Sequence, residues 1–201
     1  MQVYGMRIDG RVVSSDVTRE VRSPYDGSLV GQVALGNEGH LAGAVASASR
    51  AFGDFSRSPT HVRATLLERI AQGIGARSEE IAHLITRESG KPIRYSRAEV
   101  LRGQSTFTLA AAEARAFGGE VLPADQLPGQ EGRWCLYKRV PRGPVAAISP
   151  FNFPLNLVAH KVAPALAVGA TVVLKPAAQA PLTAHLLSEI VDQAGAPAGV
   201  F

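Results

Sequence analysis

The last third of the sequence alternates short apolar segments with longer segments that have helical spacing. The short segments consist of Val, Ala, Ile and Leu with one hydroxyl residue each, as expected of strands that are buried on both faces. In order, the predicted elements are a strand at 145–149, a helix at 155–168, a strand at 171–174 and a helix at 181–194. Strands that alternate with covering helices predict an α/β fold with a Rossmann-like parallel sheet.

The preceding part of the sequence changes character near residue 36. Short β-rich runs and turn residues fill the first 35 positions, with Asp9-Gly10 and a turn at 24–27, and they predict two small hairpins. Amphipathic helices follow. Their predicted spans are 37–55, a stretch from 61, a stretch from the N-cap Ser78 to the stop at Gly90, and 92–117.

Composition excludes several classes of protein. With 46% apolar and 19% charged residues in 201, the chain is expected to be globular and not disordered. Its longest nearly apolar run has thirteen residues and includes Pro164, whereas a bilayer span needs about 20, so we expect no membrane partner. The start lacks signal-peptide features, and Cys135 is the lone cysteine, predicted to be a small buried hydrophobe. These features favour a cytoplasmic protein without disulfides or a metal site.

A loop rich in Pro and Gly is expected at 124–132, and a basic and aromatic segment follows it. Arg133, Trp134, Tyr137 and Lys138 would suit a strand that stacks single-stranded nucleic acid. The other charges that give the net +4 are scattered along helices, however. We therefore interpret the segment as an exposed sheet edge or subunit contact and expect no nucleic-acid partner.

Polar side chains follow both predicted strands of the sheet. Asn152 lies in the turn Ser-Pro-Phe-Asn-Phe-Pro after the first strand, and Lys175 comes directly after the second. Ligands of open parallel sheets bind beyond the carboxyl ends of the strands, so an amide and an ammonium are expected at one edge. The sequence contains neither GxGxxG nor GxxxxGK[ST], so a dinucleotide would have to be held differently.

Three motifs in this region resemble the aldehyde dehydrogenase superfamily. They are an aromatic-Asn-Phe-Pro turn at 151–154, the helix pattern HK-x-x-PAL-x-x-G at 160–169 and the strand end VV-x-KP at 172–176. RESGKP at 87–92 also resembles the family's acid-x-Gly-Lys-Pro helix end, so the likeness covers nearly the whole chain. The resemblance implies oxidation of an aldehyde to a carboxylic acid with NAD or NADP, through a thioester on a cysteine.

The resemblance implies catalytic roles for Asn152 and Lys161. The Asn152 amide would donate a hydrogen bond to the oxyanion that forms when a thiolate attacks the aldehyde carbon. The alternative is a turn asparagine that satisfies local backbone groups. Lys161, nine residues later, would serve a proton relay, and the favoured alternative is a helix lysine that reaches solvent or a carboxylate.

For the cofactor, the resemblance implies that Lys175 binds the adenosine ribose, whereas in isolation it would be a solvated lysine. The residues that would line the same groove are Ile148, Ser149, Pro150 and Phe151, with ordinary strand-end packing as the alternative. Ala178 stands where NAD-preferring relatives often carry Glu. Without that carboxylate a 2'-phosphate is not repelled, so NADP becomes plausible beside NAD.

Members of the family are more than twice as long, and their nucleophilic Cys and general-base Glu follow the point that matches Phe201. We therefore expect 1–130 and 142–201 to form an incomplete, truncated N-terminal part of an NAD(P)-binding domain. An oligomerisation hairpin is expected at 131–141, with the catalytic domain absent from this chain. The expected partners are a small aldehyde and further copies in a homodimer or homotetramer. A non-catalytic nucleotide-binding or assembly module is the alternative.

Overall fold

The computed structural model describes residues 3–201. Its strands are Val3–Tyr4 (β1), Met6–Ile8 (β2), Arg11–Val13 (β3), Thr18–Arg22 (β4), Leu29–Ala34 (β5), Gly119–Pro123 (β6), Trp134–Lys138 (β7), Val145–Ile148 (β8) and Val172–Lys175 (β9). Its helices are Glu38–Phe55 (α1), Thr60–Ala76 (α2), Ser78–Ser89 (α3), Ile93–Ala116 (α4), Asn156–Val168 (α5) and Leu182–Gln193 (α6). Strands followed by covering helices at the carboxyl end confirm the predicted α/β class.

Both predicted hairpins are present at the amino-terminal end. Strands β2 and β3 are antiparallel and joined by Asp9 and Gly10, whose φ angles of 56° and 70° are those of a two-residue hairpin turn. The second hairpin pairs β4 with β5 around the predicted turn. Strand β1 then adds to β5 in parallel, which gives a three-stranded sheet with the order β1-β5-β4.

The first helices follow the predicted spans, with one correction at α3. Asn37 caps α1, because its side chain accepts a hydrogen bond from the His40 backbone N–H. Ser78, in contrast, is the first residue of α3 and not its N-cap. Arg77 occupies the cap position without a side-chain bond, because α2 continues to Ala76 and leaves one residue between the two helices.

Helix α4 lies at the centre of the core, between α2 and α5. Its Phe107 is fully buried with Leu67 and Ile70 of α2. Gly103 lets α4 approach the start of α5, since a Cβ atom built there would lie 2.9 Å from Cδ2 of Leu155. This close approach brings α4 against the turn that precedes α5.

The segment between α4 and β8 forms an antiparallel ribbon that the sequence prediction only partly captured. Strand β7 pairs with β6 from Gly119↔Lys138 to Pro123↔Trp134, and the side chains of both strands are exposed throughout. The prediction that Cys135 is buried is therefore wrong. All five residues of its strand are exposed, so alternation along the ribbon has no buried face to occupy.

Strands β8 and β9 are parallel, as predicted, with register pairs from Val145↔Val172 to Ile148↔Lys175. Helix α5 connects them, and α6 follows β9. Gly169 ends α5 in the left-handed conformation with φ of 91°. Among residues 3–201, none of the helices combines the length and the apolar character that crossing a membrane requires.

Candidate active site

The carboxyl ends of β8 and β9 lie side by side. Ile148 is the register partner of Lys175, and the backbone N–H of Ser149 donates a hydrogen bond to the Lys175 carbonyl at 3.2 Å. Ser149 is buried, whereas Ile148 and Lys175 are exposed. The two loops that carry the predicted site residues therefore begin at one edge of the sheet, where ligands of parallel sheets bind.

Asn152 has a fixed main chain and an uncommitted side chain. Its carbonyl oxygen accepts a hydrogen bond of 2.7 Å from the Lys91 ammonium. Its side-chain amide is exposed and has no hydrogen-bond partner among residues 3–201. The alternative that this amide satisfies local backbone groups therefore finds no support, and the amide is available to a ligand.

Lys91 connects the Asn152 turn to α4. Its ammonium forms an ion pair with the Glu99 carboxylate and lies 4.0 Å from the centroid of the Phe153 ring. A cation over an aromatic face is attracted by the ring quadrupole, most strongly where water is excluded. Lys91 thus contacts two successive residues of the turn and fixes the backbone from which the Asn152 side chain projects.

Glu99 has no exposed surface and holds the first turn of α5. One carboxylate oxygen accepts hydrogen bonds from the backbone N–H groups of Leu155 at 2.9 Å and Asn156 at 3.2 Å. The first N–H groups of a helix have no partner within it, so this carboxylate satisfies two of them. The other oxygen pairs with Lys91, and a buried charge is tolerated only when it is paired and hydrogen-bonded in this way.

Glu88 does the same for α6. Its oxygens accept hydrogen bonds from the Leu182 N–H at 2.8 Å, from the Thr183 N–H at 2.9 Å and from the Thr183 hydroxyl. Burial raises the pKa of Glu88 to about 7, although the hydrogen bonds from Thr183 and Leu182 favour the ionised form. Glu88 of α3 therefore fixes the start of α6, the helix that follows Lys175.

The surface beside these strand ends combines exposed apolar groups with a free cation. The exposed fractions are 68% for Ile148 and 55% for Phe151. Within the part of the chain that the structure describes, the Lys175 ammonium donates one hydrogen bond, to the carbonyl oxygen of the adjoining Pro176 at 3.5 Å. An apolar platform next to an uncompensated ammonium fits a nucleotide, which offers a flat base and oxygen acceptors together.

A cavity of about 390 Å³ continues from this surface toward β4. Ala178 is exposed and lines it with Phe151 and Gln179, and Pro150 is exposed nearby in the sequence. The residues that β4 and its following turn contribute are Arg19, Glu20, Val21, Arg22 and Pro24. Ala178 brings no carboxylate to the site, and Glu20 is paired with Arg22.

Lys161 stands apart from these contacts. It lies half-buried in α5, and its ammonium forms no hydrogen bond or ion pair with residues 3–201. In the same residues, no three His, Cys, Asp or Glu side chains are grouped closely enough to hold a metal ion. The structure therefore places the loops of Asn152 and Lys175 at one edge, and among residues 3–201 Lys161 forms no hydrogen bond with either.

Sequence reasoning treated RESGKP as a motif and missed the roles of Lys91, Glu88 and Glu99. A signal was present in the helical periodicity. Glu99 falls on the buried stripe of α4 between Ser96 and Gly103, and Glu88 continues the apolar stripe of α3. A carboxylate on an apolar stripe needs a buried partner, which predicts a long-range contact without identifying it.

Comparison with known proteins places this geometry in a family. Residues 12–201 match the aldehyde dehydrogenase family. A 3-sulfolactaldehyde dehydrogenase of Priestia aryabhattai is 39% identical over 196 residues, which are 98% of this chain and 41% of the relative. Aldehyde dehydrogenase 21 of Physcomitrella patens, solved with the reaction product succinate, superimposes with a TM-score of 0.95 at 38% identity and covers 100% of this chain and 42% of that one.

A third similar protein is the NADP-dependent glyceraldehyde-3-phosphate dehydrogenase of Bacillus halodurans C-125, solved with NADP. Its TM-score is 0.95 at 34% identity, with 100% of this chain and 43% of that chain covered. The chain belongs to the aldehyde dehydrogenase family, as its motifs indicated. It spans about two fifths of the length of the relatives it matches.

The raised pKa of Glu88 predicts a pH-dependent stability. Because the folded-state pKa is about 7 and the ordinary value is 4.5, the stabilising contribution is complete below pH 4.5 and is lost as the pH rises through 7. The loss is about 3 kcal/mol of unfolding free energy over this range. We expect Glu88→Gln to remove this slope, as measured by denaturant unfolding from pH 4.5 to 8.

Thr183→Val is the matched control, because it removes a hydroxyl contact and keeps the titrating carboxyl. It should lower stability and keep a pH slope that extends to higher pH, because the lost hydroxyl favoured the ionised form of Glu88. An unchanged slope in Glu88→Gln would mean that Glu88 is already ionised across the whole range.

Proposed function

We propose that this chain supplies the oxyanion-binding amide and much of the cofactor groove of an NAD(P)-dependent aldehyde dehydrogenase. The observation that carries the proposal is the uncommitted Asn152 amide on a main chain held by Lys91. The enzyme would oxidise an aldehyde to a carboxylic acid. Family membership supports the reaction class, and the names of the three similar proteins support dehydrogenation of an aldehyde.

The role assigned to Asn152 follows from the negative charge that develops on the aldehyde oxygen during the reaction. When a thiolate attacks the carbonyl carbon of an aldehyde, the carbonyl oxygen becomes an oxyanion. A positioned amide N–H stabilises that charge without changing its own protonation state. Cys135 is exposed on the β6–β7 ribbon, so the nucleophile is expected from a cysteine elsewhere in the enzyme.

The residues at the strand ends fit a nicotinamide dinucleotide, NADP or NAD. When bound, the dinucleotide accepts a hydride from the substrate carbon. Lys175 would donate to ribose hydroxyls or to a 2'-phosphate, and Ile148 and Phe151 would cover apolar surface of the nucleotide, with Ser149 and Pro150 shaping the groove. Ala178 permits a 2'-phosphate because it carries no opposing charge.

Lys161 takes a relay role in this proposal, since it follows the Asn152 turn on α5 and has a free ammonium among the described residues. A lysine can carry a proton toward solvent when its ammonium is not fixed by a carboxylate. The role is secondary to that of Asn152, because no hydrogen bond joins the two side chains among the described residues.

The β6–β7 ribbon is the proposed contact between copies of the enzyme. It exposes Val121, Trp134 and Leu136 on strands whose outer edges pair with no other strand among residues 3–201, and exposed apolar edges are normally covered by a partner strand. The free thiol of Cys135 fits a cytoplasmic location.

Sedimentation should give a dimer or tetramer that Leu136→Lys weakens, and a monomeric wild-type enzyme would contradict the assembly.

We expect substitutions of the two polar side chains to change different quantities, kcat for Asn152 and dinucleotide affinity for Lys175. Asn152→Ala should lower kcat by about 100-fold or more, because one oxyanion donor is lost, and should leave the affinity for NAD and NADP unchanged. Lys175→Ala should weaken dinucleotide binding by about 10-fold with little effect on kcat, because a charge-assisted hydrogen bond is lost. Steady-state kinetics and fluorescence titration of the full-length enzyme measure both.

Full turnover by Asn152→Ala would remove this residue from the mechanism. Binding of dinucleotide without any aldehyde oxidation by the wild type would favour a non-catalytic nucleotide-binding module instead.

A further inference from the structure

A second cation lies beside the residue that follows Asn152. The guanidinium carbon of Arg102, on α4, is 6.0 Å from the centroid of the Phe153 ring. Lys91 approaches the same ring at 4.0 Å. Since consecutive Cα atoms are about 3.8 Å apart, Arg102 lies close to the turn that presents the Asn152 amide.

The two cations differ in whether a carboxylate compensates their charge. Lys91 is compensated by buried Glu99. Arg102 is exposed, and its guanidinium forms no ion pair or hydrogen bond with residues 3–201. Two other arginines of α4 are neutralised, Arg97 by Glu79 and Arg115 by Glu68. Arg102 is therefore an uncompensated cation close to the turn that carries Asn152.

Packing on Phe153 alone does not account for an arginine at this position. At an exposed site a cation–π contact contributes about 0.5–1 kcal/mol, and Lys91 already supplies such a contact to the same ring. A guanidinium, in contrast, presents parallel N–H groups that match two oxygens of a carboxylate, sulfonate or phosphate. The features that packing leaves unexplained are the free charge and its place beside the turn that carries Asn152.

We propose that Arg102 binds an acidic group on the substrate, so that the enzyme selects short aldehydes that carry a carboxylate, sulfonate or phosphate a few bonds from the carbonyl. The proposal rests on the proposed aldehyde oxidation. With the carbonyl oxygen at Asn152 and the acidic group at Arg102, the substrate is held at two points. An uncharged aldehyde of the same length is held at one.

Matched substrate pairs test this specificity in the full-length enzyme. The pairs are succinate semialdehyde with butanal, and glyceraldehyde 3-phosphate with glyceraldehyde. For at least one pair we expect the wild-type kcat/KM to be 10-fold or more higher for the anion. Arg102→Gln should lower kcat/KM for that anion by about 10- to 100-fold and change the uncharged partner less than about twofold, since a site built for a polar group discriminates through it.

Arg102→Lys keeps the charge without the planar fork, so it should restore part of the preference. Arg97→Gln is the matched control on the same helix, because that guanidinium is already paired with Glu79, and it should behave as wild type. Equal losses for anionic and uncharged aldehydes in Arg102→Gln would assign Arg102 to positioning Phe153 and overturn the proposal. No loss for either would overturn it as well.

The role of Arg102 and the dehydrogenase activity are tested separately. Oxidation of the uncharged aldehydes without any preference for the anions would refute the role of Arg102 and leave the dehydrogenase activity intact. If no aldehyde is oxidised, the proposed function fails. Calorimetric titration with succinate then decides the remaining point: binding by wild type that Arg102→Gln abolishes supports an anion site, and absence of binding by wild type overturns it.

Discussion

Two buried carboxylates hold the helices on which the candidate active site depends. Glu99 accepts the first backbone N–H groups of α5, and Glu88 accepts those of α6. These groups have no partner within their own helices, and the positive end of each helix dipole favours a nearby negative charge. Both acids come from the α3–α4 region, so the sheet edge is built by contacts that are distant in sequence.

In this arrangement, the residues that hold the turn differ from the residues that are available to bind ligands. Lys91 neutralises Glu99 and binds the Asn152 carbonyl, so the turn is fixed through its main chain. Removal of one partner from such a buried pair typically costs about 3–5 kcal/mol, because a charge is left uncompensated. The Asn152 amide and the Lys175 ammonium take no part in these bonds. They remain available for ligands on a support that other residues hold rigid.

Local sequence patterns predicted the helices, the strands and the sheet edge at which the candidate site lies. They did not predict which residues pair across long distances in the sequence. The parallel pair β8–β9 and the place of Asn152 and Lys175 followed from apolar runs and the general geometry of parallel sheets. The capping roles of Glu88 and Glu99 did not, since a helical stripe cannot tell which distant N–H groups an acid reaches. Cys135 was misjudged because alternation along a strand predicts a buried face only when something packs against it.

Amide hydrogen exchange tests the central claim directly. If the two carboxylates hold the helix starts, the amides of Leu155, Asn156, Leu182 and Thr183 should exchange at least about 1000-fold more slowly than in an unfolded peptide, although first-turn amides normally lack protection. Glu99→Ala should release the first two and spare the last two. Exchange of all four at peptide rates in the wild type would contradict the account.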